Sequence, residues 1–123
     1  MAISLTNRAK NAALNGIVDE IDSGGSAGSL QILDASDTEL ATLPLTNPAF
    51  GAADSGSVSA NTITTDTTVN AGTASKFKVF TSGGSEVFRG TVTNTGGGGD
   101  LTLTNVNLFA GDRLAVSSFI ITI

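Results

Sequence analysis

After residue 22 the chain consists of short runs in which apolar side chains alternate with Ser, Thr, Asn or Lys, and Gly-rich turns separate the runs. About seven or eight such runs follow at spacings of about 8–12 residues, which is typical of a β-sandwich or barrel. No strand-like run alternates regularly with a helix-like run, so a parallel sheet built from βαβ units is not expected. The sequence therefore predicts a mainly β, antiparallel fold.

One amphipathic helix is predicted before these strands, because four apolar residues fall at the spacing i, i+3, i+4, i+7: Leu14, Ile17, Val18 and Ile21. A side chain at residue 6 or 7 can cap the helix start, and a glycine at 24 or 25 can end it. We expect residues 1–25 to form an N-terminal arm and helix, and residues 26–123 to form the β-sandwich domain. The apolar stripe can pack on its own domain or on a partner.

The strand patterns differ in clarity. Residues 76–80 and 86–92 alternate around the Gly-rich loop 82–85 and predict a β-hairpin. Residues 55–73 hold few apolar side chains and predict a surface excursion or an exposed strand pair. The last strand is predicted to begin near Leu114 and to end in the apolar run 119–123, which has no charged residue. That run either pairs internally or adds as a strand to another subunit.

The residue types disfavour enzymatic chemistry. The chain has no His, Cys, Trp or Tyr, so it lacks the usual neutral-pH proton shuttle, the thiolate nucleophile and the nitrogen and sulfur metal ligands. The segment GGGGD (96–100) lacks the Lys-Ser/Thr step of a phosphate loop. The acids Asp34, Asp37 and Glu39 lack the spacing of a calcium loop. We therefore expect no enzyme, no cofactor and no metal site.

Charge is unevenly distributed along the chain, which carries a net charge of −5. Arg8 and Lys10 make the N-terminal arm positive, whereas residues 11–75 contain eight acids and no base. This asymmetry predicts electrostatic docking between unlike surfaces, or else scattered solvated loops. Nucleic-acid binding is not expected because no basic stripe is present. No apolar run approaches the roughly 20 residues of a membrane span, and residues 1–15 lack a signal peptide's apolar centre, so we expect synthesis in the cytoplasm and no membrane association.

Four segments carry a family resemblance that extends over essentially the whole chain: NRAKNAALNGIVDEID (7–22), GSLQI (28–32), LPLTNPAFG (43–51) and GDRLAV (111–116). With these segments the chain resembles a family of small structural proteins of tailed bacteriophages and prophages. The resemblance implies a capsid decoration or cement protein with a jelly-roll-like β-sandwich and no catalytic residues.

The function expected from this resemblance is stabilisation of the phage head. The protein would sit on the outer capsid surface, bridge subunits of the major capsid protein and self-associate as a dimer or trimer. A tail- or fibre-associated adhesin that binds a host receptor is the alternative. The residues we expect to contact a partner are the basic arm and the helix stripe, namely Arg8, Lys10, Leu14, Ile17, Val18 and Ile21.

Overall fold

The structure, a computed structural model, describes residues 3–123 and is mainly β with one helix, which confirms the predicted class. The first element is helix α1 (Asn7–Ile21). The strands that follow are β1 (Ser29–Leu33), β2 (Glu39–Pro44), β3 (Ser57–Ser59), β4 (Gly72–Thr73), β5 (Lys76–Phe80), β6 (Glu86–Asn94), β7 (Leu101–Leu103), β8 (Asn107–Leu108) and β9 (Ile120–Thr122).

Helix α1 forms where the apolar periodicity predicts it. The Thr6 hydroxyl caps its start by accepting a hydrogen bond from the Ala9 amide at 3.2 Å. Leu14, Val18 and Ile21 are buried, and they belong to the same hydrophobic core as the strands. The arm-and-helix segment and the strand segment therefore share one core, although they are distinct in sequence.

The main sheet has five strands in the order β2-β1-β5-β6-β7. Over residues 29–32 of β1 the side chains alternate between half-buried and buried, and Leu30 lies between Leu43 of β2 and Val79 of β5. Pro44 ends β2, which is an edge strand, as expected for a residue that cannot donate a backbone hydrogen bond. The predicted hairpin is confirmed, since β5 and β6 pair antiparallel.

The expectation of a wholly antiparallel fold is wrong at one pair, because β6 and β7 run parallel and the sheet is mixed. Parallel neighbours usually need a connection of about a dozen residues or more, whereas residues 95–100 make this one. The loop 95–100 passes directly over Thr93. A Cβ added to Gly97 or to Gly99 would lie 2.8 or 2.9 Å, respectively, from the Thr93 side chain. The run of four glycines, residues 96–99, thus permits a short connection between the two parallel strands that larger residues would block.

Two short strand pairs complete the fold, β3 with β9 and β4 with β8. Residues 55–73 are more than a surface excursion, because they supply both β3 and β4 and bury Val58, Ile63 and Val69. The predicted last strand is shorter than expected. Only Ile120–Thr122 forms β9, whose internal pairing with β3 is one of the two predicted alternatives.

Candidate partner-binding surface

The predicted partner-binding residues divide into a buried set and a surface set. Leu14, Val18 and Ile21 lie in the chain's own core, so they are not available on the surface. Their packing follows the alternative in which the helix stripe covers its own domain. Arg8 and Ile17 are exposed, and Lys10 is half-buried. Only these three of the six residues can therefore meet a partner directly.

Helix α1 is attached to the rest of the chain by three polar side chains that sequence reasoning did not single out. Asn11 Oδ1 accepts a hydrogen bond from the Gly56 amide at 2.9 Å, and Asn15 Oδ1 accepts one from the Ala53 amide at 3.0 Å. Asp22 Oδ1 accepts one from the Ala49 amide at 3.1 Å. Residues 11, 15 and 22 have the spacing i, i+4, i+11 of one helix face, which is the sequence signal that could have identified them.

Gly56 joins the helix to the C-terminal strand. Its amide donates to Asn11, and its carbonyl oxygen accepts a hydrogen bond from the Ile123 amide at 3.0 Å. The aliphatic part of Lys10 passes close by, with Cδ 3.2 Å from the position of a Cβ on Gly56. Lys10 and Ile17 are seven residues apart and so lie on the same side of the helix. We call the surface made by Lys10, Ile17 and Ile123 the helix-edge face. Arg8 lies in the same first turn of α1 but two residues from Lys10, and so on another side of the helix.

The first turn of α1 supplies the basic charge at and beside the helix-edge face. Within residues 3–123, neither Arg8 nor Lys10 has a salt-bridge partner. Exposed apolar side chains accompany these charges, since Ile17 and Ile123 are both more than a third exposed. A surface of this kind can combine electrostatic attraction to an acidic partner with burial of aliphatic groups.

The ion pairs of the described chain lie elsewhere, around β5 and β6. Arg89 Nε donates to Glu86 Oε2 at 2.7 Å, and this hydrogen bond holds the pKa of Glu86 below its ordinary value. Lys76 Nζ donates to Asp37 Oδ1 at 2.8 Å and likewise lowers the pKa of Asp37. In each exposed pair the opposite charges lie next to each other, so these side chains are not available to pair with a binding partner.

Two further carboxylates organise the backbone rather than forming a site. At Asp66, partial burial raises the pKa, but hydrogen bonds from the Thr68 amide, the Thr42 amide and the Thr68 hydroxyl outweigh it and lower the pKa overall. At Asp100, hydrogen bonds from the Thr91 amide and hydroxyl lower the pKa. Both acids act as hydrogen-bond acceptors that fix irregular turns.

The acids considered for calcium binding make internal contacts instead. Asp34 Oδ1 accepts from the amides of Ser36 and Thr38, both at 2.9 Å, and Glu39 accepts from the Thr42 hydroxyl at 2.7 Å. Across residues 3–123 no group of three or more carboxylates is arranged to hold a metal ion. In the same part of the chain, no helix is long and apolar enough to cross a bilayer.

Comparisons of the chain with protein families, with curated proteins and with solved structures found no match in any of the three.

Proposed function

We propose that the chain is a structural protein of the virion of a tailed bacteriophage. In this role it decorates the outer surface of the assembled head and cements it by bridging subunits of the major capsid protein. The single observation that carries the proposal is the helix-edge face, where Lys10, which has no salt-bridge partner among the described residues, shares one side of α1 with exposed Ile17. The resemblance of the sequence to phage structural proteins supplies the identity of the partner.

The stabilising mechanism is mass action. A protein that binds only the assembled lattice lowers the free energy of that lattice relative to its separated subunits. Self-association as a dimer or trimer presents two or three helix-edge faces at once, so that one oligomer spans several capsid subunits. The role is not enzymatic, and the protein is made in the host cytoplasm before it joins the particle.

The charge distribution supports an external position. Residues 11–75 contain only acidic charges and repel the DNA that fills a head, whereas the basic end of α1 faces the shell. We also propose a jelly-roll-like sandwich as the family fold. Its support is the arrangement of the β3–β9 and β4–β8 pairs, which share one hydrophobic core with the curled main sheet.

Cryo-electron microscopy of the intact virion tests the location. We expect regular density of the size of this domain on the outside of the head, with α1 toward the shell. Density confined to the tail would overturn the decoration role and favour the adhesin alternative, for which exposed Phe109, at 67% exposure, would be the first candidate contact.

A binding assay tests the helix-edge face itself. Heads that lack the protein are mixed with the purified chain, and bound protein is measured after sedimentation. We expect the double substitution Arg8→Glu and Lys10→Glu to reduce binding strongly, because it reverses the basic charge of the first turn of α1. Arg113→Glu is the matched control, since Arg113 is a base outside this face. Equal loss in both variants would contradict the assignment.

A further inference from the structure

The antiparallel pairing of β3 and β9 opens into a gap and then closes again. Beyond the strands, the Ala60 amide still donates to the Phe119 carbonyl at 2.8 Å. The pairing resumes at Asp66 and Leu114, whose amides and carbonyls exchange hydrogen bonds of 3.0 and 2.8 Å. Between these two points the segments separate around an open cavity of about 540 Å³, lined by residues 60–63 and 116–119. We call this cavity the strand slot.

The strand slot offers backbone groups that lack partners. Within the described chain, the amides of residues 115–118 have no hydrogen-bond acceptor. On the opposite wall, Asn61 and Thr64 donate to Ala49 and Pro44, outside the slot. Buried Ile63 and Val116 are part of the lining, whose exposed surface is mostly polar. A strand edge with unpaired backbone amides is the kind of surface that accepts an added strand.

The N-terminal arm has the complementary property. Ile3 and Leu5 are 69% and 48% exposed, and they alternate with Ser4 and Thr6. In an extended segment this spacing places both apolar side chains on one face and both hydroxyls on the other. The arm from Ile3 to Thr6 and the walls of the slot are both uncharged, so no charge is desolvated when they meet.

The arm of the same chain cannot reach its own slot. The slot lies near the C-terminal end of α1, because Asp22 accepts from Ala49, and Ala49 in turn accepts from Asn61. The arm lies at the other end of the helix, whose 15 residues span about 22 Å. Ile3, the far end of the arm, precedes the helix by four residues, which gives it a reach of about 13 Å, less than the length of the helix. The occupant must therefore come from another molecule.

We propose that the strand slot binds residues 3–6 of a second copy of this chain as an added β-strand. The arm backbone pairs with residues 115–118, and Ile3 and Leu5 turn inward toward Ile63 and Val116. A reciprocal exchange closes a dimer, and passing each arm to the next copy closes a ring such as a trimer. The exchange deepens the self-association of the proposed function, and it rests on that part of the function alone.

Disulfide trapping tests the exchange directly, because the chain contains no cysteine. A Ser4→Cys chain is mixed with a Ser117→Cys chain that carries a mass tag, and the mixture is oxidised. We expect the mixed, tagged dimer to dominate over the product from Ser4→Cys with Ser36→Cys, since Ser36 is an exposed residue in the β1–β2 turn. Equal trapping of both combinations would overturn the proposal.

Sedimentation of the full-length chain provides the second test. We expect the wild type to self-associate at about 0.1 mM or below, and Leu5→Asp to weaken this association about tenfold or more. Phe109→Asp, an equivalent change at another exposed apolar residue, is expected to leave it unchanged. A monomeric wild type, or a Leu5→Asp chain that associates normally, would refute the exchange. Neither measurement contains capsids, so failure of capsid binding is detected separately.

Discussion

The β1–β5 pair and the β3–β9 pair are both antiparallel, but their ladders differ in continuity. β1 and β5 pair without interruption over five residues, from Ser29 with Phe80 to Leu33 with Lys76. β3 and β9 pair over three residues, after which the chains separate around the strand slot. In the first pair, buried side chains of both strands face one another and fix the register. In the second, exposed Asn and Thr at residues 61, 62 and 64 provide no such constraint. Strand pairing in this protein therefore continues where buried apolar side chains of the two strands face each other.

The largest expected difference between the two regions comes from truncating one side chain in each. Leu30→Ala in β1 removes a fully buried side chain and should lower the free energy of unfolding by about 3 kcal/mol. Ile120→Ala in β9 removes a side chain that is 51% exposed and should change it by less than about 0.5 kcal/mol. Urea denaturation of both variants measures the contrast, and similar losses would refute it.

A pair of glycine substitutions separates packing from helix propensity. Gly28 lies where α1 approaches β5, and a Cβ there would meet the Phe80 carbonyl oxygen and lie 2.8 Å from Ile21 Cγ2. Gly28→Ala should therefore destabilise the protein by about 1–3 kcal/mol. Gly16 is in the helix with open space around it, so Gly16→Ala should stabilise by about 0.5–1 kcal/mol. Thermal unfolding should show shifts of opposite sign, and shifts of the same sign would contradict this account.

Substitution of Asp66 tests which hydrogen bonds hold the chain in place where the pairing with Leu114 resumes beyond the strand slot. Asp66→Ala removes the acceptor for the Thr42 amide at 2.9 Å and the Thr68 amide at 2.8 Å. We expect a loss of about 1–2 kcal/mol at pH 7, measured by urea denaturation. Asp19→Ala, at an exposed helix position, is the control and should show no comparable loss.

The Asp66 contribution should also depend on pH in one direction. Its folded-state pKa lies below the ordinary 3.8, so the contribution is fully present above that value. It is lost as the pH falls through the folded-state pKa, because the carboxylate is then protonated in both states. The difference between wild type and Asp66→Ala should shrink below pH 3.8. A difference that grows in acid would show that the carboxylate is not the stabilising form.

The smallest expected effect concerns the parallel connection between β6 and β7. The Thr91 hydroxyl donates to Asp100 at 3.0 Å and helps to lower the pKa of that acid. Thr91→Val removes this donor and keeps the amide, so the pKa of Asp100 should rise part of the way to 3.8. An NMR titration measures it, with Thr102→Val on β7 as the control. An unchanged pKa would mean that the amide alone is responsible.

Local periodicity was sufficient for the helix and for the β5–β6 hairpin. Their patterns repeat within a few residues, and the partner of each strand follows directly in the chain. Periodicity also identified the stripe at Leu14, Val18 and Ile21, but it could not say which surface the stripe covers. That choice depends on the rest of the fold, because an aliphatic face packs equally well on any apolar surface.

Part of the candidate surface was therefore predictable from sequence. The basic residues Arg8 and Lys10 were predicted to contact a partner, which stays a prediction, and neither forms an ion pair among the described residues. The place of Ile123 on this surface could not be predicted from sequence. Its position beside the helix arises from a hydrogen bond to Gly56, which is 67 residues away in the chain. No local pattern encodes such a contact.

The amino-acid sequence by itself determined the mainly β class, the N-terminal helix, the hairpin and a side-chain set without His or Cys chemistry. These properties depend on residue type and short-range spacing. Only the tertiary structure decided the parallel β6–β7 pair, the attachment of α1 through Asn11, Asn15 and Asp22, and the opening of the strand slot. Each of these depends on which distant backbone groups approach within hydrogen-bonding distance, and that is settled by packing of the whole chain.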